Sequence, residues 1–131
     1  MDQLNVGAML KLQRAFVSER KWKKFHTPKN LSMALAVEAA ELMEIFQWLS
    51  QAEARKVMNN PAKAKAVSHE LADVFCYLLR LADVLNVDLE EAFWEKMRHN
   101  QVKYPVKLAR GNARKYDELL RFKGLNQRKS V

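Results

Sequence analysis

The sequence predicts an all-α domain, and three observations carry that reading. Gly and Pro number only three each while 49% of the 131 residues are hydrophobic, a composition poor in the turn residues that β folds need. Four segments place their apolar residues at helical rather than alternating spacing. The breaks between them carry helix boundary chemistry: Pro28, which disfavours helix at Thr27, then Asn60-Pro61, Asp88 with Glu91, and Tyr104-Pro105. The length suits one helical domain over 1–105 with a sizeable core. Beyond it, 106–131 is a basic, Gly-punctuated extension, expected to be flexible and partly ordered, with about the last seven residues disordered.

The first helix is expected over 3–20, with Asp2 as cap and Leu4, Ala8, Leu12, Ala15 and Phe16 at the helical period. Gly7 weakens it slightly. A basic and aromatic connector, ERKWKKFHTPKN, follows. Trp22, Phe25 and His26 among Lys21, Lys23, Lys24 and Lys29 suit base stacking with phosphate contact, and equally a plug at the helix end under solvated lysines. On its own, His26 reads as structural. The second helix, capped by Asn30 or Ser32, runs to about Leu49. Glu38 and Glu41 share its apolar stripe with Leu31, Ala34, Leu42 and Ile45, and Glu44 sits at the edge. Trp48 lies on nearly the same side as Glu41, where it either stacks on a base at the rim or completes the core.

Residues 50–60 read as a polar connection with a short helical turn from Glu53 to Val57. Asn60 then caps a third helix, Pro61 to Leu85. Its Glu70 and Asp73 fall among Ala66, Val74, Tyr77, Leu81 and Val84, while Leu71, Phe75, Leu79 and Ala82 make the other sides apolar too. In so small a chain, a helix apolar on most sides predicts a homo-oligomer, at least a dimer. The single cysteine, Cys76, excludes an intramolecular disulfide and reads as a buried structural thiol. Asp88 and Glu91 form a capping box for the fourth helix, on which Lys96 and Asn100 share a face. Such a pair either binds phosphate oxygens or forms an exposed polar edge.

Four carboxylates thus point toward the predicted core. Unpaired buried carboxylates cost several kcal/mol, so such groups are neutralised, paired or metal-bound. If the second and third helices pack antiparallel, the pairs can share a divalent cation. Spacing alone leaves a metal site and a salt-bridged or solvated cluster on equal standing.

Charge is segregated. The net charge is +8, with seven Lys/Arg against two Asp/Glu in 1–30, five against ten in 31–94, and eleven against three in 95–131. An acidic centre in a basic rim fits a nucleoside polyphosphate with Mg²⁺. Basic ends also suit nucleic acid, but a basic nucleic-acid-binding module leaves the four acids without a purpose. A di-iron bundle needs Glu-x-x-His, which is absent at Glu38 and Glu70. MDQLNVGAML lacks the features of a signal peptide, and no run approaches roughly 18 uncharged apolar residues, so a cytoplasmic protein is expected.

The two acidic pairs, with the strings WKKFHTPKNL, EAAELMEIFQW, HELADVFCYLL, NVDLEEA and KMRHNQVKYPV, resemble the MazG-like superfamily of all-α nucleoside triphosphate pyrophosphohydrolases, and most closely its dCTP pyrophosphatase branch. The resemblance covers roughly 4–118. It implies a four-helix protomer in an obligate homodimer or homotetramer. It implies Mg²⁺ on Glu38, Glu41, Glu70 and Asp73, with Glu41 or Glu38 handling the attacking water. It implies that Lys96 and Asn100 contact the triphosphate, and that Trp22, His26, Trp48 and Tyr77 line the base and sugar pocket. A position that is His in that branch is Gln13 here. Gln can hydrogen-bond a base but carries no charge, so strict cytosine preference is not implied.

Overall fold

The computed structural model of the chain describes residues 3–121. They contain helices and no strand. We label the α-helices α1 (Val6–Glu19), α2 (Pro28–Phe46), α3 (Gln51–Arg55), α4 (Pro61–Leu85), α5 (Leu89–Lys103) and α6 (Val106–Ala109), with 3-10 turns at Lys23–Phe25 and Val57–Asn59. Residues 116–121 are helical again. The chain divides into two compact units, Met1–Val87 and Asp88–Val131. No helix among the described residues is long and apolar enough to cross a membrane.

α1 begins later than expected. Asn5 caps it, its Oδ1 accepting the Ala8 N–H at 3.0 Å, whereas the expected cap, Asp2, lies outside the described residues. The helix ends in a Schellman turn: Lys21 N–H donates to the Ser18 carbonyl and Trp22 N–H to the Val17 carbonyl, both at 3.0 Å. Lys21 sits at φ 54°, a left-handed conformation that glycine adopts without a Cβ clash. Lys21→Gly is therefore expected to stabilise the protein by about 1 kcal/mol, read as a raised melting temperature; an unchanged or lower value would refute the strain. α4 ends the same way, with Asn86 at φ 54° and Val87 N–H donating to the Ala82 carbonyl.

The second helix starts earlier than expected. Thr27, not Asn30 or Ser32, is its cap: Thr27 Oγ1 accepts the Asn30 N–H at 3.2 Å, and Pro28 takes the first helical position, where its missing N–H costs nothing. Asn30 and Ser32 turn back on carbonyls of Phe25 and Lys29 instead. The helix ends at Phe46, and Ser50 with Glu53 forms a reciprocal capping box for α3. Asn60 and Asp88 cap α4 and α5, as the sequence predicts, accepting from the N–H groups of Lys63 and Glu91.

Long-range bonds fix the packing of the first unit. His26 meets Arg80, just ahead of α2, while Glu38 and Glu41 near its middle lie beside Glu70. One helix rises in number as its neighbour falls, so α2 and α4 are antiparallel. The first unit's core is Val17, Leu31, Val57, Val67, Leu79 and Ala82. Two expectations about this core are corrected. On α1 the predicted apolar face is not the buried one, since Leu12 is 74% exposed and Leu4 and Phe16 are open; only Val17 is buried there. Cys76 is exposed rather than buried, and its backbone carbonyl accepts from the Gln13 amide of α1. On α4, Leu79 and Ala82 are covered, while Leu71, Leu78 and Leu85 remain as an exposed row.

In the second unit Leu119 is buried. Tyr104 and Tyr116 pack edge to face at 6.3 Å, with the Lys103 ammonium over both rings. This places Tyr116 beside the end of α5, and the expected disordered end lies outside the described residues.

Candidate functional site

The antiparallel pairing of α2 and α4 brings the acidic pairs together. Glu38, Glu41 and Glu70 each offer an oxygen, and all three oxygens lie within 4.8 Å of one another. Asp73 stands outside that set but near enough for its charge to act on Glu38 and Glu70. Glu38 and Glu70 are half-buried; Glu41 and Asp73 are exposed. So two of the four carboxylates turn inward, where the sequence pattern predicts four.

The cluster carries an unresolved electrostatic load. Burial, then a hydrogen bond with Glu41 and the charges of Glu41, Asp73 and Glu70, push Glu38 up to about 7. Burial and the charges of Glu41 and Asp73 raise Glu70 as well, although His69 opposes them. Glu70 Oε2 is buried with no hydrogen-bond partner. The ion pairs described within the first unit, Arg14–Asp83, Arg20–Glu19 and Arg80–Asp83, leave the four acids out. Carboxylates packed this way either share protons or share a cation. The oxygen-only donor set suits a hard divalent cation.

Beside the acids on α4, at two-turn spacing from Asp73, stands Arg80, buried to 8% exposure. Its Nη1 donates to Asp83 Oδ2 at 2.7 Å and its Nε to His26 Nδ1 at 3.2 Å. Asp83 also receives Arg14 of α1 through Nε and Nη2. These guanidinium groups hold the Asp83 carboxyl below its usual range, against the opposing effect of burial. Trp22 packs edge to face on Phe16 at 5.7 Å and lies 6.4 Å from the His26 ring. Gln13 Nε2 donates to the Cys76 carbonyl at 2.8 Å, one turn beyond Asp73, and its Oε1 is buried without a partner.

A model of the MazG-like family matches residues 33–119, a span that includes all four acids. The chain belongs to the MazG-like family. Relatives agree with this placement. A dCTP pyrophosphatase 1 of Rattus norvegicus is 45% identical over 111 residues, covering 85% of this chain and 65% of its own. That of Homo sapiens is 43% identical over 109 residues, covering 83% and 64%. The chain thus spans just under two thirds of the length of these curated relatives. The crystal structure of a pyrophosphatase from Archaeoglobus fulgidus superposes with a TM-score of 0.73 at 40% identity, covering 80% of this chain and 96% of that one.

In this MazG-like chain the other expected residues are divided between the two units. Tyr77 is half-buried on α4, one turn past Asp73. Trp48, just past α2, is 86% exposed, so it does not complete the core. Lys96 is exposed and Asn100 half-buried on α5, in the second unit. Arg14, Arg80 and Asp83 were not among the residues that the sequence pattern singles out. A signal was present: Arg80 is the one Lys or Arg between Ala66 and Leu85, on the stripe of Asp73 and Tyr77, with Asp83 three residues on.

Proposed function

We propose that this chain is a Mg²⁺-dependent nucleoside triphosphate pyrophosphohydrolase that converts dCTP, or a modified dCTP, to the monophosphate and pyrophosphate. The observation that carries the proposal is the triad Glu38, Glu41 and Glu70 within 4.8 Å, with a partnerless buried oxygen on Glu70. Glu38, Glu41 and Glu70, with Asp73 beside them, would hold the ion, which supplies neutralising charge for the phosphates and lowers the pKa of a bound water. The protein's own groups do the rest. Glu41 or Glu38 orients the attacking water and takes its proton as the water oxygen bonds to phosphorus and the α–β bridging P–O bond breaks. Trp22 and Trp48 present aromatic faces, and His26, Tyr77 and Gln13 present polar edges, for base and sugar. Lys96 and Asn100 bind phosphate oxygens.

We assign the catalytic domain to 1–105 and an appended basic segment to 106–131. The protein works as a homodimer or homotetramer in the cytoplasm, clearing unwanted nucleotides. The exposed row Leu71, Leu78 and Leu85, with the open apolar face of α1, supports self-association. Nucleic acid and membranes are not partners in this reading. A broad-specificity dNTP pyrophosphatase is the second reading, favoured by the uncharged Gln13.

The test is incubation with Mg²⁺ and each common dNTP and NTP, plus 5-methyl-dCTP, with products separated by ion exchange. Monophosphate and pyrophosphate from cytosine nucleotides first is the expected result. Equal rates with all dNTPs favour the second reading, and no turnover of any nucleotide refutes both.

A further inference from the structure

We propose that Arg80 is a positioning residue that holds His26 as the neutral tautomer with its hydrogen on Nε2, so that the ring meets a ligand as a hydrogen-bond donor only. That this ligand is the nucleotide rests on the function proposed above. Arg80 Nε donates to His26 Nδ1 at 3.2 Å. A guanidinium has no acceptor and keeps its protons, so the direction of this bond cannot reverse. Nδ1 must therefore carry a lone pair, and a neutral imidazole then has its hydrogen on Nε2.

The guanidinium cannot turn away to release the ring. Its Nη1 is tied to Asp83 Oδ2 at 2.7 Å, and Asp83 is tied in turn to Arg14 on α1. Arg80 is 8% exposed, so it has no room to change rotamer without leaving a charge buried and unpaired. Trp22 flanks the ring at 6.4 Å. Protonating His26 would break the Arg80 bond and set two cations in contact. Burial and the charge of Arg80 both lower its pKa accordingly. A donor-only imidazole donates to the oxygen atoms of a base carbonyl, sugar or phosphate and offers nothing to an amine's N–H. The chain Arg14, Asp83, Arg80, His26 is thus a charged scaffold that sets the chemical sense of one nitrogen.

The experiment is a long-range ¹H–¹⁵N spectrum of the histidine rings in the full-length protein, with His26→Gln assigning the signals, for the wild type, Arg80→Met and Arg80→Lys. The wild type should show one protonated and one bare nitrogen at His26, Nε2 and Nδ1 respectively. Arg80→Met should average the two nitrogens, and Arg80→Lys, which keeps a donor, should restore much of the difference. Averaged nitrogens in the wild type, or an unchanged spectrum in Arg80→Met, overturn the proposal. Where Arg80→Met does not fold, the wild-type and Arg80→Lys spectra decide it. In turnover of dCTP, Arg80→Met should raise KM about tenfold and change kcat less than about twofold. An unchanged KM overturns the donor role. A wild type that hydrolyses no nucleotide refutes the proposed function, and the spectrum then decides the tautomer on its own.

Discussion

Glu41→Gln is expected to leave the protein folded and to lower nucleotide turnover by about a thousandfold or more. The substitution is nearly isosteric, and Glu41 is exposed, so no core packing is lost. The amide retains a hydrogen-bonding partner for Glu38, but it neither coordinates a hard cation well nor accepts a proton from water. One negative charge also leaves a cluster in which Glu41 raises both Glu38 and Glu70. The metal-free variant should therefore melt no lower than the wild type at pH 8. Helical circular dichroism and a thermal melt check the fold, and ion exchange of the products checks the chemistry. Turnover within about tenfold of the wild type would remove Glu41 from the machinery.

Stabilisation by Mg²⁺ should be large at pH 8 and small at pH 5. Glu38 titrates near 7 in the folded chain against an ordinary value of 4.5. The folded form thus binds this proton more tightly than the unfolded form does. Its contribution is fully present below the ordinary value and is lost as pH rises through about 7. Glu70 acts in the same direction. Without metal, stability should fall across this window as the carboxylates ionise against one another. A cation replaces the missing protons, and at pH 5 protons compete with it. At a free Mg²⁺ concentration a hundred times its Kd, linkage gives about 2.7 kcal/mol, or roughly 10 °C for a domain of this size. Scanning calorimetry with Mg²⁺ and with EDTA at both pH values reads the difference. Equal Mg²⁺ shifts at pH 5 and pH 8 would contradict the cluster as the binding site.

The helices and the acidic pairs were legible because both rest on local rules. Pro61 after Asn60 and Asp88 three residues before Glu91 are short-range signals, and both mark true helix starts. The i, i+3 spacing put Glu38 with Glu41 and Glu70 with Asp73, and antiparallel packing completed the meeting. What failed was the ranking of faces. Periodicity selects the most apolar side of α1, yet the side that meets α4 carries Gln13, Arg14 and Val17. A polar interface of this sort has no period to detect, because its residues are chosen by partners far away in sequence. Arg80 illustrates the same limit. Its carboxylate partner is three residues away and visible, but its histidine partner is 54 residues away.

Asp83 accepts from two guanidinium groups on two helices, and this shapes how the protein tolerates change. Losing Arg14 alone leaves the carboxylate still paired with Arg80, a mild effect. Losing Asp83 alone strands a buried cation at position 80, which by analogy with broken buried pairs costs about 3–5 kcal/mol. Losing Asp83 and Arg80 together removes the stranded charge with its partner, so the double variant should be less damaged than Asp83→Ala by itself. Substitutions at these positions are therefore epistatic. Asp83 is therefore expected to change at lower cost where Arg80 has already changed, so the order of mutation, not only the sum, affects stability.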